Sequence, residues 1–205
     1  MIRIKICGIT NKEDALKAVA LGAWAIGFVF HKESPRYIGP YKAKRIIESL
    51  PPFITPVGVF VNQKEGAIKD IAEFCSLGAL QFHGDESPEF CRRFKNYRTI
   101  KAFRLRNDFN FETTPSYKTS ALLLDSYQED KHGGTGKTWD WALLKKVKHY
   151  GAPIILSGGL NAKNIKQAIE EVRPFAVDVS SGVEESPGKK NERLLKEFFD
   201  AAYLF

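Results

Sequence analysis

The chain has 205 residues, 43% of them hydrophobic and 27% charged, an ordinary globular mix long enough to bury a core without staples. Lysine and arginine number 31 against 24 aspartates and glutamates, a scattered net charge of +7 that suits an anionic ligand but shows no nucleic-acid stripe. The three cysteines, Cys7, Cys75 and Cys91, are odd in number and form no CxxC pair, so neither a disulfide framework nor a zinc site is expected; MIRIKICGIT lacks a signal-peptide core and no apolar run spans a membrane, so a cytoplasmic protein is expected.

Short apolar runs alternate with helical stretches along the whole chain. Met1–Cys7 is the first predicted strand, and Asn11–Leu21 the first helix, capped by Asn11 or Thr10. Trp24–Phe30 is the second strand, and Pro40–Leu50 the second helix with proline near its start. Pro56–Val61 and Gln63–Ser76 follow as strand and helix. Next come Ala79–Phe82 and Pro88–Phe94, the latter capped by Ser87.

Thr99–Phe103 is the fifth strand. Arg104–Ser120 after it has no 3.6-residue apolar period and contains Pro115, so a loop or degenerate helix is expected. Ala121–Leu124 and Trp139–Tyr150 form the sixth pair; Lys145, Lys146 and Lys148 there read as a solvated face. Pro153–Leu156 and Ala162–Val172 form the seventh. Phe175–Val179 is the eighth strand, and Lys190–Tyr203 the closing helix.

Strands that are nearly all apolar, without alternation in polarity, indicate a parallel sheet covered on both faces. Right-handed strand–helix units leave an open doubly wound sheet or a closed barrel, and the count of eight favours the barrel. The expectation is an α/β protein: a single (β/α)8 TIM barrel over residues 1–205, of minimal size, with a reduced or missing fifth helix. No composition shift marks a domain boundary.

In such a barrel the chemistry sits at the C-terminal ends of the strands. Polar residues crowd there: Cys7, the Ser34-Pro35-Arg36 loop, His83, Asp125, Ser157-Gly158-Gly159 and Ser180-Ser181-Gly182. Gly158 and Gly159 precede a helix, and Ser180 and Ser181 follow the last strand. Loops after strands seven and eight often hold a phosphate, so these four residues are the expected phosphate site; the competing reading is tight turns only.

Gly133-Gly134-Thr135-Gly136-Lys137-Thr138 fails the nucleotide P-loop pattern because Lys131 stands where its first glycine belongs. It also fails GxGxxG, because Trp139 occupies the last glycine position. A glycine-rich cover over the site is the better reading.

Cys7 and Asp125 would face each other across the barrel mouth as base or nucleophile and as proton donor. Taken singly, Cys7 is a small buried hydrophobe and Asp125 a loop cap. Arg36 suits forked recognition of a carboxylate, or makes a surface salt bridge. His83 is a substrate contact or a hydrogen-bonded strand cap. Asp178 holds a substrate hydroxyl, or pairs with Lys5 or another inward residue. His31, His132 and His149 have no metal-ligand spacing, and no metal site is expected.

These residues, in this order, resemble the phosphoribosylanthranilate isomerase family of tryptophan biosynthesis. The match runs from Lys5-Ile6-Cys7-Gly8 through Gln81-Phe82-His83-Gly84 and Leu123-Leu124-Asp125 to Asp178-Val179-Ser180-Ser181-Gly182-Val183-Glu184, over nearly the whole chain. The family is a barrel in which the fifth helix is often reduced. The resemblance implies an Amadori rearrangement of an N-linked phosphoribose, with Cys7 as general base, Asp125 as general acid and Arg36 holding the anthranilate carboxylate.

Ordinary cysteine and aspartate pKa values near 8.5 and 3.9 would leave both groups in the wrong state at neutral pH. The site is therefore expected to raise one and lower the other, unless substrate binding does so. No redox step is needed, so no cofactor is expected. The expected partner is a phosphorylated small molecule, with neither nucleic acid nor membrane, in a monomer or homodimer. The competing readings are a related isomerase of histidine biosynthesis (ProFAR isomerase-like) and a non-catalytic module binding an anionic ligand.

Overall fold

The computed structural model describes residues 1–105, 109–125 and 152–203. The expected sixth helix and the glycine-rich segment 133–138 lie outside the described residues.

Eight parallel strands close into a barrel in sequence order. They are β1 (Arg3–Ile6), β2 (Ala25–Val29), β3 (Thr55–Phe60), β4 (Ala79–Phe82), β5 (Arg98–Arg104), β6 (Ala121–Asp125), β7 (Ile154–Ser157) and β8 (Ala176–Val179). Pairing of β1 with β8 completes the ring, setting Lys5 opposite Asp178 and Ile6 opposite Val179.

The helices start where local chemistry predicts. In α1 (Lys12–Ala20) the Asn11 side chain accepts the Asp14 N–H, and Glu13 and Asp14 occupy the positive first turn. Pro40 opens α2 (Pro40–Ile47), and α3 is Glu65–Phe74. Ser87 caps α4 (Pro88–Arg92) through the Phe90 N–H. The weak segment after β5 becomes a 3₁₀ stretch, Phe111–Ser116, with Pro115 inside it. A proline that cannot donate to an α-helical ladder stands where a fifth full helix would run.

Among the boundaries that differ from expectation, two have a local cause. The seventh helix, α5 (Ile165–Val172), starts three residues after Ala162. Asn161 accepts the Lys163 N–H and Asn164 accepts the Asn161 N–H, so side-chain turns replace the first helical turn. The closing helix α6 (Glu192–Tyr203) starts after a small hairpin, β9 (Glu184–Ser186) and β10 (Lys189–Lys190). Lys190 is 4% exposed and aims its ammonium into the barrel mouth, which an extended backbone allows.

Each strand is buried on both faces, with opposite tasks. Ile4, Ile6, Phe28, Phe60, Phe82, Leu124, Leu156 and Val177 point outward and pack under helix residues such as Ile68, Ile165 and Phe198. Val57, Ala79, Ile100, Ala102, Leu123, Ile155 and Ala176 fill the interior. The inward positions nearer the C-terminal end include Lys5, Gln81, Ser157 and Asp178, all buried. Because side chains alternate along a strand, Lys5 stands below Cys7, Gln81 below His83, and Asp178 below Ser180.

Candidate active site

A cavity of about 300 Å³ opens at the C-terminal ends of β6, β7 and β8. Arg36, Asp125, Ser157, Gly158, Gly159, Asp178, Ser180 and Ser181 line it. Seven of the nine predicted site residues thus meet at one cavity, and the other two flank it. Cys7 lies beside it at the end of β1, with its N–H on the Val179 carbonyl. His83 reaches in from β4, its Nε2 3.5 Å from Asp125 Oδ2. A second cavity, about 590 Å³, opens on the far side of His83 along β4 and β5. An apolar groove of about 550 Å³ lies between α2 and α3 and shares no lining residue with either cavity.

Cys7 is 8% exposed, next to Val29 and Val59. Its thiol occupies a slot that exists because residue 27 is glycine. A Cβ on Gly27 would lie 2.8 Å from Cys7 Sγ and 3.2 Å from Lys5 Cε. Burial pushes the Cys7 thiol above its ordinary pKa, against the attraction of Lys5 and Lys190. Of the two alternatives, a shift built into the site or one brought by the substrate, the ligand-free pocket does not lower the thiol pKa. Desolvation penalises the charged thiolate far more than the neutral thiol.

Lys5 is itself buried, with Nζ 2.7 Å from Asp178 Oδ1. Burial acts to lower its pKa, but Asp178 and Cys7 outweigh it and raise the value. Ser157 donates its hydroxyl to Asp178 Oδ2 at 3.3 Å. The Lys5 pairing left open in the sequence therefore exists, with the Asp178 carboxylate forming part of the cavity wall.

Arg36 donates to Glu184 from Nε and Nη2, the shortest contact being 2.6 Å. Glu184 also accepts from Lys190 Nζ at 2.8 Å. Burial acts to raise the Glu184 pKa, but Arg36 and Lys190 outweigh it and hold the carboxyl below its usual range. Lys190 further donates to the Cys7 and Ser180 carbonyls at 2.6 and 3.2 Å. Its own pKa is lowered, chiefly by burial.

Gly158 and Gly159 both have positive φ, 98° and 63°. They turn the chain over the cavity as an anion-binding loop requires. They precede a helix as expected, with an asparagine turn between them and α5. Ser180 Oγ is buried with no hydrogen-bond partner among the described residues, a donor in the cavity wall available to a ligand.

Glu184, Lys190, Gly27 and Gln81 carry the site without having been singled out. Lys190 meets Cys7 across 183 residues, and no local pattern announces such a contact. Gln81 was legible in principle, since it lies two residues before His83 on a strand.

A buried thiol, a half-buried aspartate, an arginine and a glycine–serine loop at the open end of a (β/α)8 barrel define a barrel enzyme for a small anionic substrate. The family model described as N-(5'phosphoribosyl)anthranilate (PRA) isomerase matches residues 4–201. The N-(5'-phosphoribosyl)anthranilate isomerases of Trichlorobacter lovleyi and Thermotoga neapolitana are each 48% identical, the first covering 97% of this chain and 96% of its own, the second 98% of each. The crystal structure of the Thermotoga maritima enzyme superposes with a TM-score of 0.92 at 48% identity, covering 98% of both chains. Another solved isomerase, in complex with reduced 1-(o-carboxyphenylamino)-1-deoxyribulose 5-phosphate, gives 0.89 at 46% identity and 98% coverage of both chains. The chain belongs to the phosphoribosylanthranilate isomerase family.

Proposed function

We propose that this pocket converts N-(5-phosphoribosyl)anthranilate to 1-(2-carboxyphenylamino)-1-deoxyribulose 5-phosphate, a step of tryptophan biosynthesis. The observation that carries the reading is the meeting of Asp125, Arg36 and the Gly158-Gly159 and Ser180-Ser181 loops around one cavity, with Cys7 at its edge. The family match and the relative solved with a reduced product analogue support it.

Asp125 gives a proton to the ribose ring oxygen, the C1–O bond breaks, and a Schiff base forms. Cys7 removes the proton on C2, the electron pair neutralises the nitrogen, and the resulting enolamine becomes the ketone. No electrons leave the substrate. Arg36 holds the anthranilate carboxylate, and His83 and Asp178 contact the sugar. Gly158, Gly159, Ser180 and Ser181 take the phosphate.

Burial keeps the Cys7 thiol protonated in the ligand-free site. Activation then falls to the bound substrate: a cationic Schiff base beside the thiol favours thiolate and acidifies C2 together. Asp125 belongs to β6 and pairs with Arg104 and Ser157 in the ladder, so a rigid strand carries it.

The test is the loss of anthranilate-type fluorescence when the protein is added to freshly made phosphoribosylanthranilate. Turnover by the wild type is expected, and none by Cys7→Ala or Asp125→Asn with unchanged circular dichroism. Near-normal turnover in either variant removes that residue from the mechanism.

A further inference from the structure

Gln81 is fully buried in the barrel interior. Its ladder neighbours are Val59 on β3 and Ile100 on β5. An apolar side chain would fill that position without desolvating an amide. Its Nε2 lies 2.9 Å from His83 Nδ1, while its Oε1 has no hydrogen-bond partner among the described residues. A buried carbonyl left unpaired costs about 1–3 kcal/mol. Stability alone does not account for a glutamine here.

The ring of His83 explains it. On one side Nε2 faces Asp125 Oδ2 at 3.5 Å. A carboxylate oxygen accepts, so a favourable contact with a neutral ring needs the proton on Nε2. Nδ1 must then be the acceptor, and the Gln81 amide N–H supplies the donor. The reversed amide would put the proton on Nδ1, strand two buried amide hydrogens, and turn a bare Nε2 lone pair toward the Asp125 oxygen. Both ends of the contact select the same tautomer.

We propose that Gln81 is a positioning residue for the acid step: its amide fixes His83 as the Nε2–H tautomer, and that N–H orients the Asp125 carboxyl group. The part concerning Asp125 chemistry rests on the function proposed above; the tautomer does not. Gln81 touches no reacting atom and acts through His83. The arrangement repeats on β1, where Lys5 stands two residues before Cys7 and acts on its thiol.

Nitrogen-15 NMR of the imidazole, with His83 assigned by the loss of its signal in His83→Asn, reads the tautomer directly. The wild type is expected to carry the proton on Nε2. Gln81→Glu presents an acceptor to Nδ1 and should move the proton there or make the ring cationic. In steady-state assays Gln81→Met and Gln81→Glu should lower kcat about tenfold or more, with KM changed by less than about twofold. An Nδ1–H ring in the wild type overturns the proposal, and that measurement needs no variant of Gln81 to fold. It is equally overturned if Gln81→Glu shifts the proton while kcat stays unchanged, or if the loss falls on KM. Retained turnover in Asp125→Asn, with the Nε2–H ring observed, would instead reject Asp125 as the acid.

Discussion

Arg36 and Glu184 lie 148 residues apart and meet as a fork: Arg36 Nε is 2.9 and 3.1 Å from the two carboxylate oxygens, and Nη2 is 2.6 Å from one of them. The guanidinium is thereby locked in plane at the rim of the cavity. A surface salt bridge and a substrate clamp were alternatives in the sequence. In the folded protein the ion pair exists, and it holds the arginine in the cavity wall.

Glu184→Gln should therefore act on substrate capture. Charge-assisted hydrogen bonds contribute about 1.5–3 kcal/mol, so a rise in KM of about tenfold or more is expected, with kcat much less affected. Steady-state kinetics on phosphoribosylanthranilate checks this, and an unchanged KM would reject the positioning role. The same carboxylate links stability to pH. Its folded pKa is depressed, so its contribution is present above the unfolded value of about 4.3 and is lost as pH falls through the lower folded value. Denaturation curves of wild type and variant should converge as the solution is acidified.

The Cys7 thiol offers a second measurement. Its pKa is raised chiefly by burial, and burial likewise raises Cys75 and carries Cys91 to about 11. Iodoacetamide labelling of the native protein, mapped by mass spectrometry, should be slow at neutral pH for all three. Labelling of Cys7 should accelerate only above the ordinary thiol range near 8.5. Fast labelling of Cys7 at pH 7 would show that the free site already holds a thiolate. Raised thiol pKa values also mean that stability present below about 8.5 is lost as pH rises through the folded values.

A third expectation concerns the frame under His83. Lys101 Nζ, on β5, lies 2.9 Å from Glu86 Oε2, and both side chains are 3% exposed. Glu86 also accepts the N–H groups of Asn62 and Gly84, and Lys101 donates to the Gly84 carbonyl. Lys101→Met leaves a buried carboxylate without its cation and should cost about 3–5 kcal/mol. Urea denaturation measures this, and Glu86→Gln in the same chain should recover part of the loss. A Lys101→Met protein as stable as wild type would show that water or a rearranged loop compensates Glu86.

The sequence by itself pointed to the barrel, because eight short, mostly apolar runs alternating with helical stretches leave few ways to bury both faces of a strand. Asn11, Pro40, Ser87 and Pro115 act within one turn of chain, so α1, α2, α4 and the broken fifth helix were legible. Placing Cys7, His83, Asp125 and the two loops at one end followed from the same alternation. The tertiary structure alone decided the Arg36–Glu184 fork, the descent of Lys190 onto the Cys7 carbonyl, and the raised thiol. Each depends on which distant groups share a buried volume, and burial and Coulomb attraction follow distance in space, not separation along the chain.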